Sequence, residues 1–187
     1  AASEQAFSRK KHDERFPVHA ITWALSHAGI TMDQVSMVAF YDKPLVKFER
    51  ILKSHLAHFP KSFPQFFQGM PSWFSTKLRL DKILAREFGY TGAIIYGQHH
   101  RSHAASAFYA SGFDEATLLT VDGVGEWSTA TWGIGRGTEI EMKGEIRFPH
   151  SLGLLYSAFT AYLGFKVNSA EYKVMGLAPY GEPRYAQ

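Results

Sequence analysis

The uneven distribution of glycine most constrains what this sequence can fold into. Residues 1–90 contain 3 of the 16 glycines, whereas residues 91–187 contain 13. Glycine is needed where the backbone turns tightly or approaches a ligand closely. The second half of the sequence is therefore where we expect a binding site.

The composition excludes several kinds of site. A chain of 187 residues is long enough for about one domain, and 45% hydrophobic with 20% charged residues is typical of a globular protein. The absence of cysteine excludes disulfides, thiolate nucleophiles and cysteine-based metal sites, so any metal must bind to histidine and carboxylate. The sequence has neither a long apolar run nor a signal-peptide pattern, which predicts a cytoplasmic protein without membrane contact.

The net charge does not indicate a nucleic-acid partner. The formal charge is +3 and the sequence pI about 9.1. The 13 basic residues of the first half are scattered among 8 acidic ones along predicted helices, with no basic stripe. We therefore predict no nucleic-acid binding.

Apolar periodicity predicts a mixture of helices and strands. Helical spacing marks 17–28, 45–58, 73–88, 99–109 and 152–163; strands are predicted over 34–41, 116–121, 128–134 and 140–148, with a short apolar run at 93–96. This mixture predicts the α/β class. Residues 59–72 contain three prolines and four phenylalanines and are predicted to be irregular. They would form a lid-like insertion, a partner-facing loop or a loop packed on the domain's own surface.

A pair of histidines is the first candidate for metal binding. On a helix, His99 and His103 lie one turn apart on the same face, where two imidazoles can share one ion. Asp122, at the end of the following strand, is placed to complete such a site. The pair could also arise by chance among nine histidines, and Asp122 could orient a water molecule or only initiate a turn.

Three further segments could bind anions or substrate. Gly123 and Gly125 could direct backbone N–H groups at phosphate, although Asp-Gly is also an ordinary turn. Lys10 and Lys11 could meet phosphate or simply be solvated. In the segment Asn168–Gly176, Glu171 could accept from hydroxyl or ammonium groups while Lys173 faces an anion, or the segment is a solvated loop.

Four motifs taken together resemble the amino-terminal half of the NodU/CmcH family of carbamoyltransferases. They are His99–Phe108, Thr120–Trp127, Phe148–Tyr156 and Glu171–Gly181, and they occur in order. The segment Ser8–Pro17 is also similar to that family. The resemblance covers nearly the whole chain and is weakest across residues 42–88.

The resemblance implies a fold and a set of ligands. It implies part of an actin-like ATPase (ribonuclease H-like) domain, with a mixed sheet flanked by helices, incomplete at both ends. Residues 1–187 would be a single partial domain, separate from an adenylate-forming carboxy-terminal domain. His99, His103 and Asp122 would be ligands of a divalent metal such as Fe²⁺, joined by a further aspartate beyond the chain. Glu171 and Lys173 would lie near acceptor and nucleotide.

The activity implied is O-carbamoyl transfer. Carbamoyl phosphate and ATP would give carbamoyl-adenylate, and the carbamoyl group would pass to a hydroxyl of a sugar or lipo-chitooligosaccharide. Alternatives are an antibiotic-tailoring enzyme, a non-catalytic scaffold of the same fold and, third, tRNA threonylcarbamoylation. The family's early histidine, a candidate general base, has no match here. A fragment of this kind is expected to be inactive alone and to self-associate as a homo-oligomer or to be marginally stable.

Overall fold

The computed structural model describes residues 2–10, 13 and 15–184, which form two compact units. The first unit contains the described residues up to 40 together with residues 52–96. The second contains residues 41–51 and those from 97 onward. Helix α3, Pro44–Ala57, runs across the boundary between the two ranges.

The first unit is mainly helical around a short parallel strand pair. Its elements are α1 Glu4–Ser8, α2 Val18–Ala28, a 3₁₀ turn Met32–Gln34, β1 Met37–Phe40, α4 Phe63–Ser72, a π-helical turn Trp73–Lys77, α5 Leu80–Phe88 and β2 Ala93–Tyr96. Strand β1 pairs with β2 in parallel, with Val38 opposite Ile94. Leu80, Leu84 and Tyr90 form the buried core beneath this pair. Leu84 is fully enclosed because the apolar face of α5 turns inward.

The second unit is an antiparallel three-stranded sheet with a helix across it. Its elements are α6 His99–Ser111, β3 Glu115–Val121, β4 Ser128–Arg136, β5 Glu139–Arg147, α7 Leu152–Tyr162, α8 Glu171–Leu177 and a 3₁₀ turn Ala178–Tyr180. The strand order is β3-β4-β5. Ala104 and Phe108 of α6 pack on Leu118 and Ile140 of the sheet. This packing sets the start of α6 beside the end of β3.

The predicted α/β class is confirmed, and most predicted elements are found within a few residues of their expected limits. In the described part of the chain, the parallel and antiparallel pairings lie in two separate sheets. Every described helix is too short or too polar to cross a bilayer.

The prediction of an irregular segment over 59–72 is wrong for residues 63–72, which form α4. Pro64 lies in the first turn of the helix, where its missing N–H would have no partner in any case. Pro71 lies in the last turn, where the α-helix gives way to the π-helical turn. The helix predicted over 73–88 is accordingly divided into that turn and α5.

Gly133 is required by the close approach of β4 and β5. A Cβ atom at this position would lie 2.3 Å from the backbone oxygen of Glu141. We expect Gly133→Ala to lower the free energy of unfolding by about 1–3 kcal/mol, because strand β5 would have to move. The control is Gly176→Ala in α8, where a Cβ meets nothing within 4 Å. Urea unfolding of both variants should separate them, and an equal effect would contradict this reading of the sheet.

Candidate metal centre

Three possible ligand atoms lie together where α6 begins and β3 ends. His99 Nε2 is 2.7 Å from Asp122 Oδ2. His103 Nε2 is 3.1 Å from His99 Nε2 and 3.7 Å from the same carboxylate oxygen. One donor atom from each residue lies within 4.8 Å of the others. The structure thus brings together the three residues that the sequence analysis selected as candidates.

Backbone geometry explains why these side chains meet. His99 is the first residue of α6, and the helical repeat places His103 one turn further along the same face. Asp122 directly follows β3, and its N–H still donates to the carbonyl of Thr129 on β4. The aspartate is therefore held by the sheet, while the two histidines are held by the helix that packs on that sheet.

The carboxylate of Asp122 is strongly stabilised in its charged form. The hydrogen bond from His99, followed by the backbone N–H of Gly123, holds the pKa of Asp122 well below its usual range. The other ring nitrogen of His99, Nδ1, is buried and has no hydrogen-bond partner in the part of the chain that the structure describes. Metal-bound histidines normally donate this second N–H to an acceptor. No described residue supplies one.

His100, the second residue of α6, is a structural residue. Its Nδ1 lies 2.6 Å from Thr120 Oγ1, and its Nε2 lies 2.8 Å from the carbonyl oxygen of Ser128. Thr120 in turn lies 2.7 Å from Thr131 Oγ1. Burial lowers the pKa of His100, which favours a neutral ring that donates from Nε2 and accepts at Nδ1. This buried network ties α6 to β3 and β4.

The loop glycines serve close packing. The N–H of Gly123 donates to Asp122 Oδ1, and that of Gly125 donates to Ser128 O. The two backbone N–H groups that were predicted to bind an anion therefore already have acceptors within the protein. A Cβ on Gly125 would lie 3.0–3.1 Å from His99 and His100. A Cβ on Gly153 in α7 would lie 2.4 Å from the carbonyl oxygen of Asp122.

Glu126 is the residue that the sequence analysis did not select. Both of its carboxylate oxygens lie 3.1 Å from the N–H of His99, and Oε1 also accepts from the N–H of Lys43 at 2.9 Å. A carboxylate at a helix start satisfies free N–H groups and favours the positive end of the helix dipole. Local capping signals could not reveal this contact, because the carboxylate comes from 27 residues further along the chain.

The other predicted site residues lie outside the cluster of His99, His103 and Asp122. Glu171 begins α8, where its Oε1 accepts from the N–H of Asn168 at 2.6 Å, and this bond lowers the pKa of Glu171. The side chain of Lys173 is exposed on the same helix. Lys10 is exposed in the first unit, and Lys11 lies outside the described residues.

The cluster of His99, His103 and Asp122 fits a transition-metal ion by its donor set. Two imidazole nitrogens and one carboxylate oxygen are ligands typical of Fe²⁺, Zn²⁺ and related ions. Their separations of 2.7–3.7 Å allow all three to reach one ion at about 2.0–2.2 Å. Three protein ligands leave coordination positions open, as in catalytic metal sites.

Comparison with known proteins decides the family. The family model described as "Carbamoyltransferase N-terminus" matches residues 1–186. The chain belongs to this family. Uncharacterized protein sll1178 of Synechocystis sp. is 50% identical over 99% of the chain. Nodulation protein NolNO of Sinorhizobium fredii is 36% identical over 98% of the chain, and nodulation protein NolO of Bradyrhizobium diazoefficiens is 45% identical over 48% of it.

These relatives are much longer than this chain. It spans 31% of the length of the Synechocystis protein and 26% of the length of NolNO. The family match therefore concerns an amino-terminal domain.

Removing the carboxylate of Glu126 should loosen the start of α6. We expect Glu126→Ala to lower the free energy of unfolding by about 1–3 kcal/mol, because the N–H groups of His99 and Lys43 lose their acceptor. Glu126→Gln keeps one side-chain oxygen and should show a smaller loss. Glu139→Ala, an exposed position at the start of β5, is the control. The free energies of unfolding are measured by chemical denaturation. An equal loss in Glu139→Ala and Glu126→Ala would contradict the role given to the Glu126 carboxylate.

Proposed function

We propose that this chain supplies the metal centre of an ATP-dependent O-carbamoyltransferase. In this reaction, carbamoyl-adenylate formed from carbamoyl phosphate and ATP donates its carbamoyl group to a hydroxyl of a sugar-containing acceptor. The family match supports carbamoyl transfer, and the nodulation relatives favour an acceptor such as a lipo-chitooligosaccharide. Because the chain spans less than a third of its two longest-matched relatives, the complete reaction is proposed for a longer protein.

The cluster of His99, His103 and Asp122 is the observation that carries this proposal. These residues would hold a divalent metal, for which the family resemblance favours Fe²⁺. A bound divalent cation supplies Lewis acidity, which polarises a phosphoryl or carbonyl oxygen and stabilises developing negative charge. A non-catalytic scaffold of the same fold would have no need for three converging ligands.

The remaining residues of the site would act by positioning and by charge. Glu126 fixes the backbone of His99, and the network of His100 fixes the helix against the sheet. We assign Lys173 to an anionic group of the donor because its ammonium group is exposed. Glu171 already accepts a hydrogen bond from the backbone N–H of Asn168. Its carboxylate keeps further lone pairs, which would accept a hydrogen bond from the hydroxyl that is carbamoylated.

Metal content provides the test. Protein purified without oxygen and loaded with Fe²⁺ or Co²⁺ should hold about one ion per chain by mass spectrometric metal analysis. His99→Ala, His103→Ala and Asp122→Ala should each lower the affinity at least about tenfold, because each removes one ligand. The Co²⁺ form should also show an absorption spectrum that these substitutions change.

His27→Ala is the matched control, since His27 is exposed on α2 in the first unit. It should bind metal like the parent protein. The proposal would be wrong if the parent protein took up no metal, or if the ligand variants bound metal as well as His27→Ala does. A non-catalytic scaffold would then be the favoured function.

A further inference from the structure

A cavity of about 480 Å³ opens beside the start of α6 in the second unit. Its walls come from three places in the sequence: the start of α3, the first turn of α6, and the strands β4 and β5 with the loop before them. None of the three residues assigned to metal binding lines it. The function proposed above therefore leaves this cavity unexplained.

The wall of the cavity carries more positive than negative charge. Four cationic side chains line it, and two acidic ones. The cations are Lys43, Arg101, Lys143 and Arg147; the acids are Glu126 and Glu145. Cationic groups gathered around a concave surface raise the local concentration of anions, because low-dielectric walls focus the field.

Both acidic side chains in the wall are already engaged. Glu126 accepts from the backbone N–H groups of His99 and Lys43. Glu145 accepts from the hydroxyl of Ser128 and lies 3.5 Å from Nε of Arg147. Because the carboxylates of Glu126 and Glu145 are engaged in these contacts, they are less able to pair with the other cations of the wall.

Two of the cations have no carboxylate partner among residues 2–10, 13 and 15–184. They are Lys43 and Arg101, whereas Lys143 pairs with Glu141 at 2.5 Å. The Lys143 pair is half exposed and therefore weak. A guanidinium and an ammonium group that face one cavity are a suitable pair of donors for phosphate or carboxylate oxygens.

The cavity also offers an apolar surface. Trp127 lines it, and the guanidinium carbon of Arg147 lies 5.4 Å from the centre of the Trp127 ring. Val46 and Met142 complete this part of the wall. A ligand with a non-polar body and several anionic oxygens would match both kinds of surface.

We propose that this cavity is a binding site for a small polyanion, held chiefly by Arg101 and Lys43. Oligophosphates and polycarboxylates share the required chemistry, and the volume admits a small organic molecule that bears such groups. Glu126 lies in the cavity wall and also accepts from the backbone N–H of His99, so it connects the polyanion site to one residue of the metal centre. The binding site itself does not depend on the metal.

The test is calorimetric titration of the metal-free chain, treated with EDTA, at constant ionic strength. Inorganic pyrophosphate and citrate are the two probes, and they distinguish phosphate from carboxylate preference. We expect Arg101→Gln and Lys43→Gln each to raise the dissociation constant of the preferred probe about tenfold, since each removes a charge-assisted contact. The matched control is Lys166→Gln, an exposed cation of the same unit that does not line the cavity.

The dissociation constants of the variants distinguish binding in the cavity from non-specific attraction and from binding at the metal centre. Lys166→Gln should change the dissociation constant less than about twofold, and all three variants should unfold at the same urea concentration as the parent chain. Equal weakening by all three substitutions would mean non-specific attraction and would overturn the proposal, as would a dissociation constant weaker than about 10 mM for both probes. His103→Ala should bind the probe like the parent chain; a loss there would locate the anion at the metal centre instead.

Discussion

The carboxylate of Glu126 is the contact on which the site depends. It accepts hydrogen bonds from the N–H of His99, the first residue of α6, and from the N–H of Lys43. These two donors are more than fifty residues apart in the sequence. The free N–H groups at a helix start need acceptors, and a buried one without a partner is costly. Because the acceptor belongs to the loop that follows Asp122, one side chain fixes the histidines and the aspartate in a common frame.

The second support is the packing of α6 on the sheet. Phe108 lies so close to β4 that a Cβ on Gly135 would come within 2.7 Å of its ring. Nearer the site, the absence of a side chain at Gly125 leaves room for the side chains of His99 and His100. Gly153 lets α7 approach the backbone of Asp122. Glycine in the second half of the sequence thus serves close packing, as at Gly125 and Gly153, as well as turns of positive φ at Gly112, Gly137 and Gly164.

Local patterns predicted what depends on local geometry. The spacing of His99 and His103 required only a helix, and Asp122 required only a strand that ends there, so both followed from sequence periodicity. Glu126 could not be found in this way, because its partners are distant in sequence. The helix over 63–72 did not follow from composition, because proline disfavours a helix interior but is tolerated in the first turn, where Pro64 lies, while Pro71 lies in the last turn. The family resemblance added chemistry that no spacing could supply.

The buried imidazole of His100 has a consequence for the way the sheet assembles. Thr120 stands opposite Thr131 in the ladder, and the ring of His100 bonds the first of these hydroxyls. A shift of β3 by one residue against β4 would turn Thr120 to the other face and strand a polar ring in an apolar interior. The hydrogen bond of His100 therefore favours the observed register of β3 against β4 and penalises a misaligned pairing.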